Sequence, residues 1–266
     1  MQLALVQFDP GPDTDANVER ATAFVREAAS SGADLVVLPE IWNVGYFAFD
    51  EYETGAEPLD GPTVSRFRDL AAELDIHLHA GSIVEREGEN LYNTNVLIGP
   101  DGEVLDTYRK IHLFGYESQE SQLLTPGNRI VTVDTELGTM GMVTCYDLRF
   151  PELFRAMRDD GADLVLVSSA WPHERLSHWL LLNRTRAMEN QVFLAAANLV
   201  GENEGVRVAG NSLVVDPWGI PRVNGGGEER LLQTEIDLTE AHEAREEFPV
   251  LDDRRIDLTY DLGPGR

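Results

Sequence analysis

Met140-Gly141-Met142-Val143-Thr144-Cys145-Tyr146-Asp147-Leu148-Arg149-Phe150-Pro151-Glu152 is the stretch that decides the architecture. An apolar run over 140–144 ends at a cysteine, a short polar turn follows, and a helical segment runs from Pro151 to Met157. Proline suits that first turn, where its missing N–H would have no intrahelical partner anyway. Strand, turn and helix in this order are the joint of an α/β protein. The alternation continues outward in both directions. Downstream lie a strand at Leu164 to Val167, a helix near Arg175 to Asn190, and strands around Val192 to Ala197, Ser212 to Val215 and Leu231 to Ile236. Upstream, a first strand at Met1 to Phe8 leads to Val18, Ala21, Val25 and Ala28 at helical spacing, with Gly32 as the stop. A buried strand, Leu35 to Leu38, then closes at Pro39-Glu40, and apolar runs follow at Ile76 to Ile83, Asn93 to Ile98 and Val104 to Tyr108. Gly32-Ala33-Asp34-Leu35-Val36 is echoed by Gly161-Ala162-Asp163-Leu164-Val165, weak support for a repeat because any helix–Gly–strand joint favours such residues. No low-complexity linker interrupts the pattern. It predicts a single α/β domain over residues 1–266, with a C-terminal tail from about residue 245 available for contacts between subunits.

Composition narrows the partners. Hydrophobic residues make up 42% of 266, in runs too short for a membrane span of roughly 18 apolar residues. The first strand carries no basic flank, so it does not read as a signal peptide. A net charge of −26 excludes nucleic acid and anionic membrane, both of which need a basic face. The acid excess comes with a single lysine, a pattern that resembles proteins of salt-loving archaea, whose carboxylate-rich surfaces stay hydrated while salt screens their repulsion. One cysteine forms no internal disulfide, which fits a reducing cytoplasm.

The lone thiol, the lone amine and one carboxylate are the candidates for chemistry. Cys145 at a strand–turn–helix joint suits a nucleophile, with the following N–H groups placed for an oxyanion, although a free cysteine is equally a small buried hydrophobe. Glu40 ends a buried strand, where a carboxylate is costly to desolvate unless it is paired or its pKa rises; a raised pKa suits a base that takes and returns a proton. Lys110, in Tyr108-Arg109-Lys110-Ile111-His112-Leu113-Phe114, is the only lysine, which weakens its reading as a solubilising charge. His77 and His79 share a strand face, but no further ligand pattern completes a metal set. Phosphate-loop, dinucleotide and Gly-x-Ser-x-Gly motifs are absent.

Taken together, Leu38-Pro39-Glu40, Tyr108 to Phe114, Cys145 to Glu152, Arg186-Ala187-Met188-Glu189-Asn190-Gln191 and Asn211 to Gly219 resemble the nitrilase superfamily of carbon–nitrogen hydrolases. The resemblance implies an α-β-β-α sandwich, assembled as a homodimer or larger homo-oligomer. It implies Glu40 as general base, Cys145 as nucleophile, and Lys110 with the Tyr146 N–H as oxyanion donors. A second glutamate matches Glu120, with Glu117 close by as the alternative. No metal or organic cofactor is implied. The loop after Phe114 looks shorter than in some members, which bears on pocket shape. Ser169 to Trp179 resembles the ω-amidase branch, which deamidates α-keto acid amides such as 2-oxoglutaramate. Arg175 is then either the partner of the substrate carboxylate or a surface or structural arginine, Trp171 and Tyr46 are expected at the substrate, and Trp42 and Phe47 are candidates for a pocket wall or for core. A nitrilase, an N-carbamoyl hydrolase and a catalytically silent scaffold remain the alternatives on this fold.

Overall fold

Apolar runs of Leu, Val and Ile pair into two six-stranded sheets in the computed structural model, which describes residues 1–256. The first sheet takes β1 (Gln2–Gln7), β2 (Leu35–Val37), β3 (His77–Glu87), β4 (Asn90–Ile98) and β5 (Val104–Arg109). The second takes β6 (Thr132–Thr135), β7 (Gly138–Thr144), β8 (Leu164–Ser169) and β9 (Phe193–Asn198). A separate hairpin follows, β10 (Val200–Asn203) and β11 (Val206–Ala209). Strands β12 (Leu213–Val215) and β13 (Pro221–Asn224) complete the second sheet, and β14 (Arg230–Glu235) returns to pair with β1. The orders are β14-β1-β2-β3-β4-β5 and β13-β12-β9-β8-β7-β6, each built around three parallel strands.

Side-chain alternation along these strands sorts the core into layers. Leu3, Leu5 and Val37 meet Met142, Leu166 and Phe193 between the two sheets. On the outer face of the first sheet, Val36 and Leu78 pack with Val25 of α1 (Thr14–Ser30) and Phe67 of α3 (Pro62–Leu74). On the outer face of the second, Val165 and Leu194 pack with Phe154 of α5 (Pro151–Asp159) and Ala187 of α6 (Leu176–Asn190). The expected α-β-β-α sandwich is thus the observed one. Each fully buried large apolar side chain contributes about 1.5–3 kcal/mol to holding the layers together.

The repeated Gly-Ala-Asp joint does the same local work twice. Gly32 (φ +87°) and Gly161 (φ +97°) end their helices in the left-handed region. The following Asp34 and Asp163 donate their backbone N–H to Gln2 and Thr139, and accept at their carbonyls from His77 and Phe193. Elements without a signal strong enough to be anticipated include α3, β6, β13 and the β10–β11 hairpin. The α3 pattern (Val64, Phe67, Leu70, Ala71 buried) is visible once its Gly61-Pro62 start is taken as a helix entry. The hairpin turns on Glu204 (φ +49°) and Gly205 (φ +76°), a pair of left-handed residues that only a two-residue tight turn requires. Of the tail from residue 245, Phe248 accepts at its carbonyl from Gln191 after α7 (Thr239–Glu247); residues 257–266 lie outside the described residues. No helix among the described residues is long and apolar enough to cross a membrane.

The carboxyl ends of β2, β7 and β8 converge, and one glycine permits it. Gly81 (φ +67°) sits where the β3–β4 register shifts between His79 and Ser82, and a Cβ there would lie 2.0 Å from the Pro39 carbonyl oxygen, next to Glu40. Gly81→Ala adds backbone strain to a clash with main chain, so we expect a loss of roughly 2–5 kcal/mol in a denaturant titration. A midpoint equal to wild type would contradict this account of the bulge.

Candidate active site

Three elements of the first sheet and its connections bring charge into a fully buried space. Glu40 follows β2, Lys110 follows β5, and Glu120 opens the single-turn helix α4 (Glu120–Leu123); all three side chains have zero solvent exposure. The Lys110 ammonium lies 2.8 Å from Glu40 Oε1 and 2.8 and 3.0 Å from the two Glu120 oxygens. The Ala170 N–H donates to Glu40 Oε2 at 2.9 Å, tying the second sheet to this carboxylate. Glu120 Oε2 also accepts from the Tyr46 hydroxyl (3.0 Å) and the Phe114 N–H (2.7 Å). Asn93, on β4, donates its amide to both carboxylates, at 2.8 Å to Glu40 and 3.0 Å to Glu120. Glu117 is exposed on the neighbouring loop, so of the two candidate glutamates only Glu120 joins the cluster.

Cys145 stands at the end of β7 with φ +45°, a left-handed conformation that a non-glycine residue adopts only where the surroundings enforce it. Asp147 is the enforcer. Its fully buried carboxylate accepts from the Thr144 N–H (3.0 Å), the Tyr108 hydroxyl (2.7 Å), and the His112 N–H (3.0 Å), and its Oδ1 lies 2.8 Å from His112 Nδ1. Tyr108 and His112 flank Lys110 by two residues on either side, so one aspartate ties the thiol's turn to the lysine's strand. Cys145 and Tyr146 lie in the first turn of a 3-10 helix, Cys145–Arg149, where backbone N–H groups lack intrahelical acceptors.

Electrostatics decide the resting protonation states. Burial, then the charge of Glu40, push the Cys145 thiol well above its ordinary value, against the pull of Lys110. That direction favours a protonated thiol at rest over a thiolate held by the lysine. Burial also raises the Glu40 carboxyl; Lys110 and the thiol oppose that rise and Glu120 adds to it. Burial alone would discharge Lys110, but Glu120 and Glu40 outweigh it and hold the ammonium above its ordinary value. A carboxylate with a raised pKa next to a protonated thiol is equipped to exchange a proton with it.

A narrow cleft opens onto Cys145. Tyr46, Phe114 and Trp171 supply apolar walls, and Arg149 and Arg175 supply charge. The Arg149 guanidinium lies 4.7 Å from the Trp171 ring centroid, and that of Arg175 lies 5.8 Å from those of Phe114 and Tyr116. Among the described residues neither arginine has a carboxylate partner, in a chain with 47 acidic residues. Arg149 was not singled out in the sequence, because it sits inside the nucleophile motif and reads there as part of the turn. Asn93 and Asp147 carried no sequence signal either. Phe47 lines the cleft, whereas Trp42 belongs to the core: its Nε1 donates to the Ala80 carbonyl at 2.8 Å and its ring packs 5.2 Å from Phe67. His79 is a core histidine that burial holds neutral, with a pKa of about 3, and His77 lies 3.6 Å from Glu136; among the described residues no group of three or more His, Cys, Asp or Glu is arranged to hold a metal ion.

Fold and site meet in a known class of enzyme. The chain belongs to the carbon–nitrogen hydrolase family, which it matches over residues 2–246. It is 40% identical to omega-amidase NIT2 of Homo sapiens, over 97% of this chain and 96% of that one. It is 39% identical to 2-oxoglutaramate amidase of Bacillus subtilis (strain 168), over 91% and 92%. Among solved structures, XC1258 from Xanthomonas campestris, a CN-hydrolase superfamily protein with an arsenic adduct in its active site, superposes with a TM-score of 0.90 at 32% identity, over 97% of this chain and 98% of that one.

Removing the ammonium would leave two buried carboxylates without their cation. Lys110→Met is expected to destabilise by about 3–5 kcal/mol at pH 8. Burial raises the Glu40 carboxyl in the folded state, so the stability linked to it is present at low pH and lost as pH rises. The penalty should therefore shrink between pH 8 and pH 5, read from denaturant midpoints in molar KCl; an equal loss at both pH values would contradict the buried-charge account.

Proposed function

We propose that this hydrolase acts as an ω-amidase, releasing ammonia from small linear amides that carry a carboxylate at the far end, of the 2-oxoglutaramate class. The observation that carries this reading is the pair of guanidinium groups, Arg149 and Arg175, left without carboxylate partners in the cleft that opens onto Cys145. An arginine fork suits bidentate carboxylate recognition, and aromatic neighbours hold both forks in place without neutralising them. The names of the NIT2 and 2-oxoglutaramate amidase relatives support the same substrate class.

In this mechanism the Cys145 sulfur attacks the amide carbon as its proton passes to Glu40. The carbonyl oxygen becomes an oxyanion, met by one Lys110 N–H and the Tyr146 backbone N–H; a preorganised donor of this kind typically contributes about 3–4 kcal/mol to the transition state. Glu40 gives the proton to nitrogen, the C–N bond breaks, and ammonia leaves a thioester on Cys145. Water then attacks the thioester carbon and yields its proton to Glu40. The C–S bond breaks, the thiol recovers the proton, and the acid departs. Glu120 holds Lys110 in place throughout. No step calls on a metal or organic cofactor.

The setting we propose is a reducing cytoplasm at high salt, consistent with a net charge of −26 and one cysteine. We propose further that the chain forms one domain assembled as a homodimer or larger. Exposed Leu181 and Met188 lie two turns apart on α6, and Met188 abuts the Gly219 turn that exposes Trp218 and Ile220, a face suited to a second copy.

Ammonia release in molar KCl from 2-oxoglutaramate, propionamide, N-carbamoyl amino acids and nitriles tests the assignment. The keto-amide should be preferred and Cys145→Ala silent; preference for a nitrile or carbamoyl compound, or silence across the panel, would overturn it in favour of those activities or of a scaffold. Arg149→Ala and Arg175→Ala should each lower kcat/KM for 2-oxoglutaramate by about 10- to 100-fold, about 1.4–2.7 kcal/mol, while sparing propionamide. Equal losses on both substrates would contradict carboxylate recognition. Removal of salt should unfold the protein, seen by circular dichroism; full structure in dilute buffer would contradict the high-salt setting.

A further inference from the structure

Among the described residues Asn93 is the one uncharged side chain that hydrogen-bonds to both buried carboxylates, and the mechanism above gives it no part. The β4–β5 pairing places it beside Lys110, whose backbone N–H donates to the Asn93 carbonyl at 2.8 Å. Amide and ammonium reach the same two oxygens. Asn93 Nδ2 lies 2.8 Å from Glu40 Oε1 and 3.0 Å from Glu120 Oε1, and Lys110 Nζ lies 2.8 Å from each. The carboxylates are thus bridged twice, once by a cation and once by a neutral amide. Chemistry dictates the orientation of that amide: turned over, its oxygen would face two carboxylates. As placed, Asn93 Oδ1 is buried and has no hydrogen-bond partner among the described residues.

Charge counting explains what the amide supplies. Two carboxylates and one ammonium, all with zero exposure, leave one negative charge in excess when every group is ionised. The Ala170 N–H reaches only Glu40, and the Tyr46 hydroxyl and Phe114 N–H reach only Glu120, so none of them bridges the pair; close carboxylates left unbridged relieve their repulsion by sharing a proton. A second cation would satisfy both too well and leave Glu40 a poor base. A neutral N–H for each carboxylate sits between these limits.

We propose that Asn93 is a positioning residue that keeps Glu40 and Glu120 from sharing a proton, so that Glu40 stays free to accept the one from Cys145. This rests on the reading of Glu40 as the base. Asn93 is fully buried and its amide donates to Glu40 and Glu120, so its part is played through Glu40. The groups that face Glu40 are Lys110 after β5, Glu120 on α4, Cys145 after β7, and the buried phenols Tyr46 and Tyr52, which stay protonated because burial, then the nearby carboxylates, raise them.

A donor to the charged form lowers a carboxyl pKa, so its loss raises it. In Asn93→Leu the acid limb of the kcat/KM–pH profile for propionamide, a substrate that does not titrate in this range, should move up by about one pH unit. The variant should be slow at neutral pH and approach the wild-type rate on the alkaline side. Asn93→Ser, with one hydroxyl donor in place of two N–H groups, should fall between, and it serves if the leucine variant does not fold. Alkylation of Cys145 by iodoacetamide should show the same order of pH limbs without depending on any substrate. A loss of rate that is uniform across pH, or a profile superimposable on wild type, overturns the inference. Glu40→Gln separates the two ideas: if it abolishes hydrolysis and alkylation while the Asn93 variants keep the wild-type limb, the Asn93 role falls alone. If Glu40→Gln itself behaves as wild type, the reading of Glu40 as base falls first.

Discussion

The chemistry of this molecule depends on one ammonium held between two carboxylates beneath the protein surface. Lys110 meets Glu40 and Glu120 at hydrogen-bond distance, and none of the three has any solvent exposure. Such an arrangement is not a stabilising device in itself, since desolvating three charges costs about as much as their attraction returns. Its value is that it must be built from parts far apart in sequence. The end of β2, the end of β5 and a single-turn helix have to arrive together, or the charges are left unpaired. The sandwich is therefore held to one register at the point where the cleft opens.

The second sheet is recruited by the same demand. Glu40 Oε2 takes the Ala170 N–H at the end of β8, and Asp147 joins the end of β7 to Tyr108 and His112 around the lysine. Two sheets that meet elsewhere through Leu, Met and Phe side chains are thus locked at one end by directional bonds. Apolar packing alone tolerates small slips; the left-handed Cys145 at this end does not.

How much of this could be read from the chain follows from what each residue needed. Leu35 to Leu38 and Leu164 to Val167 announce buried strands by composition, because a strand covered on both faces has no polar alternation to blur it. Cys145, Lys110 and Glu40 stood out by rarity and by position at strand ends, and the structure brings all three together. Glu120 was favoured over Glu117 by its spacing before Pro126-Gly127, and burial separates the two. Asn93, Asp147 and Arg149 were not legible. An asparagine in a strand, an aspartate in a turn and an arginine near a helix start are ordinary in sequence, and their meaning lies in which distant groups they face. Trp42 and Tyr46 show the same limit from the other side: neighbouring aromatics with the same sequence context divide between core and cleft, with a left-handed Gly45 (φ +95°) turning the chain between them.

The scarcity of lysine has one further consequence. Every cation on the outside of the described fold is an arginine, a histidine or the terminal amine, since the only lysine is sealed inside. The amine at Met1 is engaged with the Ile236 carbonyl, and Lys110 is both enclosed and firmly protonated. Reagents that seek the lysine amine therefore reach it only when the sandwich opens. The charge that organises the site also acts as a built-in reporter of its exposure, at a single position and with no label to introduce.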